Sequence, residues 1–364
     1  MSGPFSAQDR EHMSRALELA ARGLYTTDPN PRVGCVIADA QRVVGEGWHA
    51  RAGEPHAEVL ALRAAGAQAR GATVYVTLEP CSHTGRTPPC ADALIAAGAA
   101  RVVCSTVDPN PQVAGGGISL LKAAGIEVSV GALADEARRL NIGYFSRFER
   151  GRPFVRLKLA MSLDGRTAHG AGLKEWISGE ASRADVQTWR ARSSAVLTGA
   201  GTVRADDPRL DVRLQYGPWV RQPMRVVLDT LLACAPSSQI FSGHGAVVFA
   251  AADAPPRALK EIQVERVPRA AAGLDLDAVM QRLAALQVNE LLLECGPTLA
   301  GAFIAKQLVD EFLLYVAPKL LGDDAAPLLH LHLGSLSQSL PSFEFREVRC
   351  IGDDVRFILN PKKT

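Results

Sequence analysis

TLEPCSHTGRTPPC, residues 77–90, places eight residues between Cys81 and Cys90, among them a histidine, an arginine and two adjacent prolines. The residues leading into it, ATVYVTLEP, are rich in β-branched side chains and predict a strand. The residues leaving it, CADALIAAG, predict a short helix closed by Gly98, since glycine readily takes the left-handed turn that ends a helix. The stretch is therefore a strand-to-helix connection carrying two thiols. That arrangement decides the fold class, because strands that feed helices one after another make an α/β layered domain.

Working outward, the same alternation continues. SAQDREHMSRALELAARG has apolar residues at helical spacing, PRVGCVIAD and RVVGEGWH predict strands, and AEVLALRAAG predicts a helix ending at Gly66. RVVCSTV, ISLLKAAG and IEVSVG add a strand, a helix and a strand. Near FSRFERGRPFVRLKLAMS the texture becomes polar, with Gly151 and Pro153 ahead of a fresh strand. We place the division there, giving domains 1–147 and 148–364. The second part alternates again, through AVLTGA, MRVVLDT, GAVVFAAA, DLDAVMQRLAALQ, NELLLEC and LAGAFIAKQL, and closes on a hairpin-like FEFREVRCIGDDVRFILN. One short echo, DPNPRVG at 28–34 and DPNPQVAG at 108–115, marks two loops.

The bulk numbers bound the function. The 364 residues fit two domains of about 150 residues or more. A net charge of +2, with both signs interspersed and only 5% aromatic residues, lacks the basic, aromatic-bearing groove a nucleic-acid enzyme needs. The N-terminal residues do not match a secretory leader, and no apolar run has transmembrane length. A cytoplasmic location is the expectation, with neither nucleic acid nor membrane as partner. Seven cysteines, an odd number scattered without an export signal, then favour thiols or metal ligands over disulfides.

Upstream lies PHAEVLAL, with His56 and Glu58. His56, Cys81 and Cys90 offer one imidazole and two thiolates, a set that suits a single zinc ion and leaves a fourth position for water. His83 is a second candidate for that position and would close the site. Glu58, near the metal without binding it, is the candidate proton carrier. His56 and Cys90 are expected at helix N-termini, where the local field favours a thiolate. H-A-E followed by P-C and P-C matches the zinc base-deaminase signature, except that eight residues, not two, separate the cysteines.

That longer insertion, with NPRVGCVI, PHAEVLAL and DPNPQVAGGG around it and KLAMSLDGRTA, WISG, TGAGTVRADDPRL and ECGPTLAGA beyond, closely resembles the bacterial bifunctional riboflavin-biosynthesis deaminase–reductases. The resemblance covers nearly the whole chain. It implies a cytidine-deaminase-like α/β/α layer domain followed by a dihydrofolate-reductase-like α/β domain. It also implies zinc-dependent deamination of a diamino-ribosylamino-pyrimidinone 5′-phosphate, then NADPH reduction of its ribosyl group to ribityl. A homo-oligomer is the expected assembly. Carried over residue by residue, Asn30, His49, Arg86, Thr87, Asp108 and Asn110 are expected to contact the deaminase substrate.

For the second domain a Rossmann fingerprint is missing, because Gly199-Ala-Gly201-Thr-Val-Arg lacks the third glycine. NELLLECGPTLAGAFI instead predicts a strand ending at Glu294 and a helix opened by Gly296-Pro297-Thr298, a reasonable phosphate cradle. The resemblance assigns cofactor contacts to Ala160, Trp176, Thr202, Asp206, Thr230 and the run Gly296, Pro297, Thr298, Leu299, Ala300, Gly301, Ala302. It assigns reductase substrate contacts to Lys174, Arg190, Leu210, Arg213 and Glu294. Relatives often carry a serine where this chain has Lys174, two residues before the tryptophan. Lys158 is expected to face the cofactor, and Asp164 to serve a turn.

Overall fold

The computed structural model describes residues 5–82, 89–168, 176–213, 220–243, 245–257, 262–331 and 341–362. Arg86, Thr87 and Lys174, together with His83, lie outside the described residues. The chain divides into two compact units, Met1–Gly151 and Arg152–Thr364.

The first unit runs α1 (Ala7–Ala21), β1 (Gly34–Ala38), β2 (Val43–Trp48), α2 (Ala57–Ala65), β3 (Thr73–Val76), α3 (Cys90–Ala97), β4 (Arg101–Cys104), α4 (Gly116–Ala123), β5 (Glu127–Val130), α5 (Ala134–Leu140) and α6 (Ile142–Arg150). Its five-stranded sheet has the order β2-β1-β3-β4-β5. β1 is antiparallel to both neighbours, and β3, β4 and β5 are parallel. Alternation along each strand builds a core on either face. Cys35, Ile37, Val74, Val76, Val102 and Cys104 pack with residues of α2, α3 and α4. Val36, Tyr75 and Val103 instead pack with Met13, Ala16 and Leu19 of α1.

Helix α1 begins at Ser6, whose hydroxyl accepts from Asp9 N–H while the Asp9 carboxylate accepts from Ser6 N–H, a reciprocal cap. Helix α2 lies so close to β2 that a Cβ on Gly47 would sit 2.4 Å from the Ala57 carbonyl oxygen. Only glycine permits that approach, and it fixes the turn that carries His56 and Glu58. Helices α5 and α6 fall outside the elements the sequence predicts, and α6 runs past residue 147 to Arg150 before Gly151 turns the chain at φ +66°.

The second unit contains β6 (Phe154–Ser162), β7 (Arg166–Ala168), α7 (Glu180–Arg192), β8 (Ala195–Gly199), α8 (Ala200–Asp206), β9 (Met224–Leu228), β10 (Ala246–Ala251) and β11 (Gln263–Val267). It continues through β12 (Arg269–Ala270), β13 (Gly273–Leu274), α9 (Leu276–Ala285), β14 (Glu290–Glu294), α10 (Pro297–Ala305), β15 (Glu311–Ala317), β16 (Ala326–Pro327), β17 (Phe343–Ile351) and β18 (Asp354–Pro361). Nine strands form one sheet, β11-β10-β9-β8-β14-β6-β15-β18-β17. The strands from β11 to β15 in that order are parallel, and β18 and β17 add antiparallel. Strand β14, late in sequence, inserts between β8 and β6, which brings Glu294 into register with Lys158. The C-terminal ends of parallel strands are where α/β sheets assemble their sites.

Candidate active sites

His56 is the N-cap of α2 and Cys90 the first residue of α3, as expected. Cys81 comes from the loop after β3. His56 Nδ1 lies 3.3 Å from Cys90 Sγ and 3.7 Å from Cys81 Sγ, and the three ligand atoms all fall within 4.8 Å of one another. A tetrahedral zinc with bonds of about 2.0 Å to nitrogen and 2.3 Å to sulfur requires N–S separations of about 3.5 Å. The three side chains therefore fit that ion. A hydrogen bond between the two free thiols, with Cys90 N–H and His56 beside it, holds the Cys81 thiol below its ordinary range and, with burial, pushes Cys90 up.

Glu58 is 3% exposed, and that burial pushes its carboxyl above the usual carboxylate range, with His56 opposing. A carboxyl raised in this way beside a metal centre is suited to take and return a proton. His49 is buried, with its ring 5.3 Å from that of His56. Its Nδ1 faces the Pro55 carbonyl at 3.2 Å, which can only accept, so Nδ1 donates and Nε2 accepts from Asn30 Nδ2 at 3.1 Å. Burial lowers the His49 pKa, which favours this neutral form. Asn30, with its amide turned this way, presents Oδ1 as an acceptor.

Asp108 and Asn110 sit in the loop after β4. Asp108 Oδ1 accepts from Asn110 N at 2.8 Å and from the Tyr144 hydroxyl at 3.1 Å. Asn141 meets the other loop of the echo, its side chain bonding Arg32 N–H and the Arg32 carbonyl at 2.8 and 2.9 Å. The start of α6 thus buttresses both loops. The sequence does not single out Tyr144 and Asn141, because a helix's contact with a distant loop leaves no local pattern. Glu79, missed as well, lay in plain view inside the opening stretch as an acid at the end of an apolar strand.

In the second unit, Arg190 grips Glu294 with two bonds, at 2.6 and 2.9 Å. Burial would raise the Glu294 carboxyl, but Arg190, Lys158 and Arg213 together hold it below its ordinary value. Arg190 also donates to the Asp211 carbonyl, and Arg213 lies 3.9 Å from the Asp211 carboxylate. Leu210, buried, has φ +52°, and Asp207 has φ +44°. Left-handed conformations at non-glycine residues store strain, and such strain tends to gather in functional loops. Arg190, Leu210, Arg213 and Glu294 thus come together around one loop.

The cofactor candidates divide into a cluster and outliers. Gly199-Ala200-Gly201, which fails as a Rossmann motif, is the end of β8 and the start of α8, bearing Thr202 and Asp206. Thr202 Oγ1 would lie 3.8 Å from a Cβ on Gly296, and Leu299 packs on Gly199, so α8 and the 296–302 run face each other. Helix α10 starts with Pro297 and no side chain caps it. Thr230 follows β9, Ala160 lies in β6, and Trp176, 69% exposed, stacks on Arg183.

The family models bear directly on these two sites. Residues 6–106 match the cytidine and deoxycytidylate deaminase zinc-binding region, and residues 153–357 match the RibD C-terminal domain. The riboflavin biosynthesis protein RibD of Escherichia coli is 50% identical over 359 residues, 96% of this chain and 98% of that one. The chain belongs to the RibD family. The Haemophilus influenzae RibD is 47% identical, with 98% and 99% of the two chains covered. The Acinetobacter baumannii RibD structure superposes with a TM-score of 0.91 at 45% identity, covering 98% and 99%. A Thermotoga maritima structure, titled a diaminohydroxyphosphoribosylaminopyrimidine deaminase/5-amino-6-(5-phosphoribosylamino)uracil reductase, gives 0.83 at 33% identity, covering 97% and 99%. The RibD assignment makes the chain a bifunctional enzyme of riboflavin biosynthesis, a zinc-binding deaminase followed by a dihydrofolate-reductase-like reductase that uses a nicotinamide cofactor. Among the described residues no helix is long and apolar enough to cross a membrane.

Proposed function

We propose that this chain deaminates 2,5-diamino-6-ribosylamino-4(3H)-pyrimidinone 5′-phosphate in its first unit. It then reduces the ribosyl group of 5-amino-6-(5-phosphoribosylamino)uracil to ribityl with NADPH in its second. The observation that carries the reading is the His56–Cys81–Cys90 triad with the buried Glu58 at its edge. His56, Cys81 and Cys90 would hold one zinc per chain, which when bound would acidify a water towards neutral pH. Glu58 takes the proton from the nucleophile and delivers it to the departing amine, so that ammonia leaves. Asn30 Oδ1, set by His49, accepts from the N–H edge of the pyrimidine, and Asp108 and Asn110 approach it from the loop after β4. Arg86 and Thr87 complete the contacts within the long insertion, with Arg86 on the phosphate.

In the reductase, the uncapped start of α10 suits an anionic cofactor group, since its N–H groups and dipole favour negative charge. Gly296, Pro297, Thr298, Leu299, Ala300, Gly301 and Ala302, with Ala160, Trp176, Thr202, Asp206 and Thr230, would hold NADPH, which supplies the hydride. Arg190, Arg213, Leu210, Glu294 and Lys174 would hold the ribosyl phosphate. The protein's part is to align the sugar with the cofactor and keep water out. The enzyme works in the cytoplasm as a homo-oligomer, without nucleic acid or membrane.

The test mixes purified protein with the diamino-pyrimidine phosphate, with and without NADPH, and follows ammonia release together with NADPH absorbance. Ammonia release without NADPH, and NADPH consumption only after it, are expected. Consumption of NADPH with no ammonia released would reject the assigned order.

A further inference from the structure

We propose that Glu79 is a positioning residue of the deaminase. It ties the loop bearing Asp108 and Asn110 to the strand end bearing Cys81, and thereby sets the affinity for the pyrimidine substrate. The inference rests on the reading above, in which Asp108 and Asn110 touch that substrate.

Glu79 is 4% exposed and stands two residues before Cys81. Its Oε2 accepts from the backbone N–H of Asp108 at 3.2 Å and of Gly115 at 3.0 Å, and its Oε1 accepts from Ile118 N–H at 3.2 Å. The three donors come from both ends of the 108–115 loop and from the first turn of α4. Among the described residues no cationic side chain pairs with this carboxylate. Its charge is met by backbone dipoles, including the start of α4, where a negative group is favoured. Backbone donors cannot swing away as a lysine can, so each bond fixes a point of the loop.

The packing beneath agrees. A Cβ on Gly117 would stand 1.8 Å from the Pro80 carbonyl oxygen, and one on Gly116 2.5 Å from Ser82 Oγ. The start of α4 therefore rests directly on the Pro80 carbonyl and the Ser82 side chain, the residues on either side of Cys81. From the ligand, the connection runs Cys81, Pro80, Glu79, Asp108, and from Asp108 to Asn110 through the 2.8 Å bond.

The test measures zinc content, deaminase kcat and KM, and reductase activity on pre-deaminated substrate for Glu79→Gln, Glu79→Ala and Asp108→Ala. Glutamine has one acceptor oxygen where glutamate has two, so its amide must oppose at least one of the three N–H groups. The Gln variant is expected to keep its zinc and its kcat while KM rises about tenfold, the scale of one charge-assisted hydrogen bond. The Ala variant should raise KM further, and Asp108→Ala should raise it as well. If Asp108→Ala raises KM and Glu79→Gln does not, the positioning role is overturned. Zinc loss in Glu79→Gln with KM unchanged in the loaded fraction also overturns it, assigning Glu79 to the metal loop alone. An unchanged KM in Asp108→Ala refutes the substrate-loop reading, and the inference with it. Should the Ala variant fail to fold, the Gln variant decides.

Discussion

The Tyr144 hydroxyl donates to Asp108 Oδ1 at 3.1 Å, joining the last helix of the first unit to the loop after β4. Burial pushes the Asp108 carboxyl up to about 6 from 3.8, although the Asn110 N–H and Tyr144 favour its charged form. The folded chain therefore holds this proton more tightly than the unfolded chain. The contribution favours folding below pH 3.8 and is lost as pH rises through about 6.

Above that range the buried carboxylate costs at most about 3 kcal/mol. Asp108→Asn should therefore melt higher than the parent at pH 8, with the difference shrinking as pH falls to 5, while deaminase activity drops. Tyr144→Phe removes a bond that favours the carboxylate. It should shift upward the pH at which the deaminase KM improves. Thermal melts of the zinc-loaded proteins and a KM–pH profile check both.

Glu58→Gln keeps the size of the side chain and removes the proton carrier. Zinc content by metal analysis should be unchanged, while deaminase kcat falls about 10²- to 10⁴-fold, the range for a lost general acid–base. Reduction of pre-deaminated substrate should continue. Loss of both activities in a folded protein would contradict two separate sites.

Cys81→Ser or Cys90→Ser replaces a soft thiolate with a poor zinc ligand. Zinc content and ammonia release should fall together. Chelation of the parent should do the same, with reversal on adding zinc back, and NADPH consumption on pre-deaminated substrate should persist throughout.

Arg190→Ala strands the Glu294 carboxylate in a buried position. Breaking such a pair costs about 3–5 kcal/mol, lessened here by Lys158 and Arg213. Denaturant melts should register the loss, with reductase KM raised and deaminase kinetics unchanged. Arg190→Lys restores charge without the two-pronged grip, so it should recover stability better than KM.

Gly47→Ala drives a Cβ to 2.4 Å from the Ala57 carbonyl, at the first turn of α2. Overpacking of this kind costs about 1–3 kcal/mol. Because that turn carries His56 and Glu58, zinc affinity measured by competition with a chelator should weaken along with stability.

Local chemistry made much of this protein legible from its sequence. Two thiols and a histidine, two of the three at predicted helix starts, with an acid two residues after the histidine, point to a zinc deaminase centre because metal ligation depends on residue type and on element ends. Strand alternation and glycine stops likewise mark most of the layers. What depends on contacts between distant segments was decided only by folding. Strand β14 slips between β8 and β6 and sets Glu294 against Lys158 and Arg190, more than 100 positions apart along the chain. Glu79, Asn141 and Tyr144 acquire their roles from backbone groups and loops that no local pattern names. Residue type dictates what a side chain can do, and the fold chooses which partner it meets.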